Sequence, residues 1–252
     1  MPTTRGPVRS LLERVLVTGT IEAVETVTPS MRRIRIVGPA MAGLTWTPGQ
    51  HVRVLVGGPF QARGLLTGAV KDALRTYSVW RHDPTWEALD LVGFDHGGDA
   101  PGATWVREAR CGQEVTFTRP RGDFAVRPDA PYHLFAGEET ASVAFGAMMR
   151  ALPAGGRVLG VVEADTPADH LDLPCGDELV RICRHGAPAA ASQALVAAVR
   201  DLDLPGTPGV AYLAGEARTI QAVRAHLVQE RGWDRRRVVT KPFWTPGRRG
   251  MD

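Results

Sequence analysis

Apolar and polar positions alternate with a period of two through the first half of the chain, at 15–24, 31–37, 50–56, 74–80, 89–94 and 114–118. Segments of this length, rich in β-branched residues and bounded by Pro and Gly turns, predict strands. Six such strands with no long helix between them predict a closed antiparallel barrel, because closure removes edges that would otherwise pair with other chains. One short helix is expected in this half, over about 104–109. After Phe124 the pattern changes. The turn-rich run Arg127-Pro128-Asp129-Ala130-Pro131 leads into alternating strands and helices. Strands are expected at 132–136, 157–164, 179–183, 210–214 and 237–241, and helices at about 140–152, 189–202 and 217–230. The shift of period from two to about 3.6 predicts a doubly wound α/β domain on a parallel sheet. The expected division is 12–127 for the six-stranded barrel and 131–252 for the α/β domain. In the latter, ligands belong beyond the C-terminal strand ends, where Gly137-Glu138-Glu139-Thr140 and Gly215-Glu216 fall. Each Gly-Glu pair also reads as a plain helix start, with the glutamate complementing the helix dipole.

Composition narrows the function classes. At 252 residues, with 44% apolar and 23% charged, the chain can bury two ordinary cores and shows no sign of extended disorder. No run reaches the eighteen apolar residues of a membrane span, and the N-terminal segment carries charges without an apolar stretch and cleavage signal, so a cytoplasmic protein without a membrane partner is expected. Cys111, Cys175 and Cys183 are odd in number and lack Cys-x-x-Cys spacing, which predicts free thiols and no disulfide framework, zinc or iron–sulfur site. The net charge is only +3, and its arginines are spread over the whole length, with Arg235-Arg236-Arg237 and Arg248-Arg249 the densest runs. A nucleic-acid partner is therefore not expected. The residues give no oligomeric state.

Two segments carry candidate chemistry: Arg75-Thr76-Tyr77-Ser78, and His96-Gly97-Gly98-Asp99-Ala100-Pro101-Gly102-Ala103-Thr104-Trp105. An arginine fork pairs with phosphate oxygens, a tyrosine lies against a flat ring, and a nearby hydroxyl bonds a ring nitrogen. On a strand, Arg75, Tyr77 and Val79 share one face, and Thr76 and Ser78 the other, so a ligand lying along the strand edge touches both sets. The small-residue turn in the second segment opens a short helix whose free N–H groups suit a pyrophosphate. Together they meet the needs of a flavin dinucleotide. FAD is expected over FMN because FMN has no second phosphate for that helix start.

With these motifs in this order, the chain resembles the siderophore-interacting protein family, the FAD-containing ferric-siderophore reductases of the ferredoxin-reductase-like group. The family's Arg-x-Tyr-Ser/Thr matches Arg75, Tyr77 and Ser78. Its His-Gly-x-x-Gly-Pro-Ala-Ser-x-Trp matches His96, Gly97, Pro101 and Trp105. Pro120-Arg121-Gly122-Asp123-Phe124, Ala136-Gly137-Glu138-Glu139-Thr140-Ala141 and Ala214-Gly215-Glu216-Ala217 follow in order. The chain departs from the pattern at Trp80, where the family carries arginine, at Ala100-Pro101-Gly102-Ala103 in place of Gly-Pro-Ala-Ser, and at Phe243-Trp244-Thr245 in place of Tyr-Trp-Arg. A proline usual after the family's Gly-Asp-Glu-Thr is missing from Ser142-Val143-Ala144-Phe145.

The resemblance implies electron flow from NAD(P)H through FAD to a ferric siderophore, releasing Fe(II), with a small-molecule substrate and no general acid or base. It places Arg75 on the phosphates, Tyr77 against the isoalloxazine, Ser78 near the ring's reactive edge with Thr76 on the same cofactor-binding strand, and the N–H groups of Gly102, Ala103 and Thr104, after Pro101, on the pyrophosphate. His96 and Trp105 line the dinucleotide, Thr140 adds a bond to the flavin, and Trp244 approaches the ring from the nicotinamide side. Trp244 reads equally as a packed aromatic closing the last strand. Lys71 and Lys241, the only lysines, and Arg121 are the candidate cations for an anionic ferric chelate. The donor stays open. Glu163 and Asp165 suit a free ribose hydroxyl, Arg181 and Arg184 a 2′-phosphate, and a reduced ferredoxin is a further possibility. A flavin-dependent oxidoreductase acting on a small organic substrate is the alternative, and a non-enzymatic ferric-chelate-binding flavoprotein the third reading.

Overall fold

The computed structural model describes residues 16–56, 73–175 and 178–248. The chain divides into two compact units, one ending at Gly122 and the other beginning at Asp123. The linker-like run after Phe124 belongs to the second unit because Phe124 packs edge-on against Tyr212, and the Arg127 N–H donates to the Tyr212 hydroxyl at 2.8 Å. No helix among the described residues is long and apolar enough to cross a membrane.

The first unit is a closed barrel of six strands: β1 (Leu16–Thr28), β2 (Met31–Val37), β3 (His51–Leu55), β4 (Leu74–Asp83), β5 (Ala88–Phe94) and β6 (Glu114–Thr118). They close in the order β1-β2-β5-β4-β3-β6, with antiparallel pairing throughout. The period of two is visible in burial: Ile34 and Ile36 of β2, Val52 and Val54 of β3, and Val79 of β4 are all inside. Full burial of each such side chain contributes roughly 1.5–3 kcal/mol. Trp80 sits in a bulge, where Trp80 and Arg81 together oppose the stretch of β5 between Leu91 and Asp90. A bulge re-aims side chains locally, so the family arginine is replaced at a position already out of regular register.

The α-helix α1 (Pro101–Glu108) of this unit begins three residues before the expected start. Pro101 is the reason. It occupies the first helical position, where its fixed φ is already helical and its missing N–H costs nothing. Thus the small residues expected as a turn form the first turn of the helix itself.

The second unit holds a five-stranded parallel sheet in the order β11-β10-β7-β8-β9. Its strands are β7 (His133–Glu138), β8 (Val158–Ala164), β9 (Leu179–Cys183), β10 (Val210–Glu216) and β11 (Val238–Trp244), and its helices α2 (Glu139–Arg150), α3 (Gln193–Arg200) and α4 (Ala217–Ala225). β7, β8 and β10 are buried at every position, as parallel strands covered on both faces must be. Phe135 and Tyr212 stack on one face against Phe145 of α2. Leu134, Ala136 and Leu213 point the other way, into a core with Leu195 of α3 and Ile220 of α4.

Helix limits differ from the periodic reading in two places. α3 starts at Gln193 rather than 189, because Ala191 has φ 54° and Ser192 caps the helix, accepting the Leu195 N–H at 3.1 Å. α4 ends at Ala225 and continues as one π-helical turn, His226–Glu230. Strands β7 and β10 run two residues further than expected, so Glu138 and Glu216 are strand-terminal residues as well as helix N-caps.

Candidate functional site

The two motifs of the barrel unit meet. β4 carries Tyr77 inward, and its hydroxyl donates to the Gly102 carbonyl in the first turn of α1 at 2.9 Å. The Tyr77 ring also lies 5.0 Å from the Trp105 ring, tilted by 48°. Burial pushes the Tyr77 phenol well above its ordinary range, only partly offset by Arg75, so the hydroxyl stays a neutral donor. Gly102 is needed for this approach. A Cβ there would lie 3.2 Å from the Tyr77 hydroxyl and 3.4 Å from Arg75 Cγ, which also shows that the Arg75 stem runs beside the helix start.

The Thr104 N–H closes the first helical bond, to the Ala100 carbonyl at 3.0 Å. This corrects the expectation that it is free for a phosphate. Pro101 has no N–H, which leaves those of Gly102 and Ala103 without a partner among the described residues. Two N–H groups at a helix N-terminus beside an arginine are the donor set a pyrophosphate requires. The residues present therefore fit FAD. The preceding loop is fixed from the same helix, since Arg107 bonds both Asp95 oxygens at 3.0 and 3.2 Å and the Gly98 carbonyl at 2.8 Å. His96 is exposed on that loop, its ring 6.4 Å from Phe94.

On the other face of β4, Thr76 is exposed and Ser78 half-buried. Ser78 pairs with His51 of β3, and His51 in turn exchanges two backbone bonds, of 3.0 and 2.9 Å, with Arg121. The exposed Arg121 is thus one strand removed from Ser78. Lys71 lies outside the described residues. Lys241 is half-buried on β11 in the second unit.

At the carboxyl edge of the parallel sheet the chain gathers buried acids. The sheet order reverses between β7 and β10, which makes their carboxyl ends the expected ligand crevice. Glu138, Glu139, Glu163 and Glu216 lie there, each no more than 2% exposed. Glu138 Oε2 accepts the Thr140 N–H at 2.8 Å, while Oε1 accepts the Thr140 hydroxyl and, at 2.9 Å, the Trp244 indole N–H. Burial and the neighbouring Glu139 charge raise Glu138 to about 7 against the pull of those bonds. The Thr140 hydrogen expected to serve the flavin is thus given to Glu138.

Glu139 is paired with Arg184 through two contacts of 2.5 Å, and Arg184 lies 3.9 Å from Glu163. Burial raises Glu163, offset by the bond from Ser192 at 2.6 Å and by Arg184. Burial pushes Glu216 up as well, but N–H donors from Ala191, Arg218 and Thr219 outweigh it and leave it low. Among the described residues Arg184 serves Glu139 and Glu163, while Glu138 and Glu216 are held by N–H and hydroxyl donors. None of these pairings was expected, because they join residues whose proximity depends on strand order. The Glu138-Glu139 doublet at a predicted strand end was the only local signal. Cys111 and Cys175 are exposed and Cys183 is half-buried, all free thiols.

Residues 20–124 match the siderophore-interacting FAD-binding domain, and residues 130–247 the siderophore-interacting protein model. The chain belongs to the siderophore-interacting protein family. Its relatives include the ferric vibriobactin reductase ViuB of Vibrio cholerae, 25% identical over 236 residues that cover 88% of this chain and 86% of that protein. Among solved structures, a siderophore utilization protein from T. fusca superposes with TM-score 0.81 at 24% identity, covering 94% of this chain and 95% of the other. The siderophore-interacting protein SipS from Aeromonas hydrophila gives 0.80 at 23% identity, covering 93% of each. A ferredoxin–NADP+ reductase from Plasmodium falciparum shares the fold, with TM-score 0.73 at 12% identity over 90% of this chain and 96% of that one. The barrel of this family member is its FAD-binding domain, and the departures at Trp80 and Thr245 are carried on that family frame.

Proposed function

We propose that this chain is a flavin-dependent reductase that takes electrons from NADH or NADPH and delivers them to ferric iron held in a siderophore. The observation that carries the reading is the junction of Arg75 and Tyr77 with the open N–H groups of Gly102 and Ala103, a cradle for a dinucleotide on a barrel. FAD, when bound, accepts a hydride as an electron pair and releases electrons singly, which is what a one-electron ferric acceptor needs. Arg75 neutralises phosphate charge, Gly102 and Ala103 fix the pyrophosphate through N–H donors, and Tyr77 holds strand and helix in register. Ser78, on the opposite face of β4, aligns the ring edge. No side chain has to move a proton onto the iron chelate, so the barrel needs no catalytic acid or base.

The α/β unit supports a nicotinamide dinucleotide through its switch point between β7 and β10. Of the two arginines considered for a 2′-phosphate, Arg181 and Arg184, the latter is already engaged by Glu139 and Glu163, which favours NADH. The substrate is taken to be an anionic ferric chelate, with Arg121 and Lys241 as its candidate partners, together with Lys71. The relationship to a ferric vibriobactin reductase supports an iron-chelate acceptor.

The test is anaerobic. FAD-loaded protein is mixed with NADH or NADPH while flavin absorbance is followed, then with ferric catecholate and hydroxamate siderophores in the presence of a ferrous trap. Bleaching followed by trapped Fe(II) is expected. Bleaching with no Fe(II) from any chelate would transfer the assignment to an organic-substrate oxidoreductase. Bleaching by reduced ferredoxin alone would replace the nucleotide as donor.

A further inference from the structure

The Glu138 carboxylate has more partners than capping requires. As N-cap of α2 it needs only the bond from the Thr140 backbone, which it has, supplemented by the Thr140 hydroxyl. Its remaining donor comes from 106 positions away. Trp244 ends β11, beside Glu216 of β10, and its indole N–H reaches past the end of β10 to Glu138 at the end of β7. Two features of this chain make that span possible. Gly215 has φ +117° and no side chain, and a Cβ there would stand 2.6 Å from Glu138 Oε1, in the path of the carboxylate. Glu138 is also one methylene longer than aspartate, which would cap the helix equally well. The oxygen that this reach carries to the indole is Oε1, which also accepts the Thr140 hydroxyl.

The consequence follows from where the indole lies. It spans the carboxyl ends of β10 and β7, the place where the sheet order reverses and where a nucleotide bound to this sheet would enter. We infer that Glu138 is a positioning residue which, by holding the Trp244 indole across this crevice, sets how readily a nicotinamide dinucleotide enters it. This rests on the nucleotide-dependent reading proposed above. A ring held by this bond must be released before the crevice opens, and apparent affinity falls by the fraction of molecules in which it is open. Weakening the bond therefore tightens nucleotide binding, while removal of a merely structural contact would weaken it.

The experiment is a double-mutant cycle on full-length, FAD-loaded protein. Glu138→Asp keeps the charge and a good N-cap but withdraws the carboxylate from the indole. Trp244→Phe keeps a ring but removes the N–H. Flavin bleaching is followed anaerobically against NADH concentration, which separates the apparent dissociation constant from the limiting rate. Each variant is expected to lower the dissociation constant about tenfold, as loss of one hydrogen bond to a charged group predicts, and to change the limiting rate by less. The double variant is expected to go no further than either single one. Unchanged or weakened affinity in the variants, or additive effects, would overturn the inference while wild-type bleaching left the proposed function standing. If Glu138→Asp fails to retain FAD, Trp244→Phe alone decides, and wild-type affinity in it refutes the tether. A wild-type protein bleached by neither nucleotide removes the nicotinamide site and the tether together.

Discussion

The Tyr77 hydroxyl donates to the Gly102 carbonyl at 2.9 Å, fastening the middle of β4 to the first turn of α1. Through this bond, segments 25 residues apart present a cation, a ring and two free N–H groups on one side of the barrel. The bond acts at both ends. It keeps the buried phenol paired, and it holds the helix start beside the Arg75 stem.

Arg75→Ala tests that convergence. The variant loses charge-assisted phosphate bonds worth roughly 1.5–3 kcal/mol, so the dissociation constant for FAD should rise about tenfold to a hundredfold. Arg75 is only half-buried, so the apoprotein should still fold. Titration of apoprotein with FAD, alongside a thermal melt, checks both statements. Wild-type affinity would return this strand to an ordinary role in the barrel.

How far the residues alone could foretell this site depends on which contacts are local. The six barrel strands and the five parallel ones follow from the period of hydrophobic positions, since burial on one face or both imposes it. The two motifs that meet between β4 and α1 were legible because each is contiguous. The starts of α1 and α3 were not, because Pro101 and Ser192 set them by backbone chemistry that periodicity does not register, whereas those of α2 and α4 fall within one residue of the periodic reading. The acidic edge was hidden for a different reason. Glu139 meets Arg184, Glu163 meets Ser192, and Glu138 meets Trp244 only after the sheet takes the order β11-β10-β7-β8-β9.

Glu138 also makes a prediction about stability and pH. An unfolded glutamate releases its proton near 4.5, whereas in the fold Glu138 holds it up to about 7, chiefly through burial and then the adjacent Glu139. Between those values the native state binds more protons than the unfolded one, so this group's contribution is fully present below about pH 4.5 and is lost as pH rises through 7. The loss is on the order of 3 kcal/mol. Glu138→Gln cannot ionise. Relative to wild type it should gain that amount between pH 5 and pH 8 in urea unfolding, whatever its offset at pH 5 from altered bonds to Thr140 and Trp244. A difference between the two proteins that is flat across this range would contradict the assignment.

The acidic edge predicts the nucleotide. Four glutamates are buried at this edge, and Arg184, on which Glu138, Glu139 and Glu163 act, is already paired with Glu139 through two contacts of 2.5 Å. A 2′-phosphate brought to this edge would meet net negative charge at low dielectric, where repulsion is strong. NADH should therefore exceed NADPH in kcat/KM by about tenfold or more, equal to about 1.4 kcal/mol. Equal efficiency, or a preference for NADPH, would place the adenosine ribose away from these carboxylates.

Arg121 offers a test of substrate attraction that leaves the flavin machinery alone. It is exposed, and it pairs with His51, whose other strand neighbour is Ser78. That register sets its charge one strand from Ser78, the residue proposed to align the flavin edge, and on a different strand from Arg75, the residue proposed for the phosphates. Its attraction for such a chelate should be screened over about 8 Å near physiological ionic strength. Arg121→Ala should raise the KM for an anionic ferric siderophore several-fold at low salt, and the difference from wild type should shrink at 0.5 M salt. Its KM for a neutral ferric chelate should match wild type at both salt concentrations. The half-reactions separate the causes: flavin bleaching by NADH reports the nucleotide side, and reoxidation by the chelate reports the iron side. An Arg121→Ala variant whose KM for the anionic chelate stays at the wild-type value at low salt would leave attraction to Lys71 or Lys241, whose own alanine variants repeat the measurement.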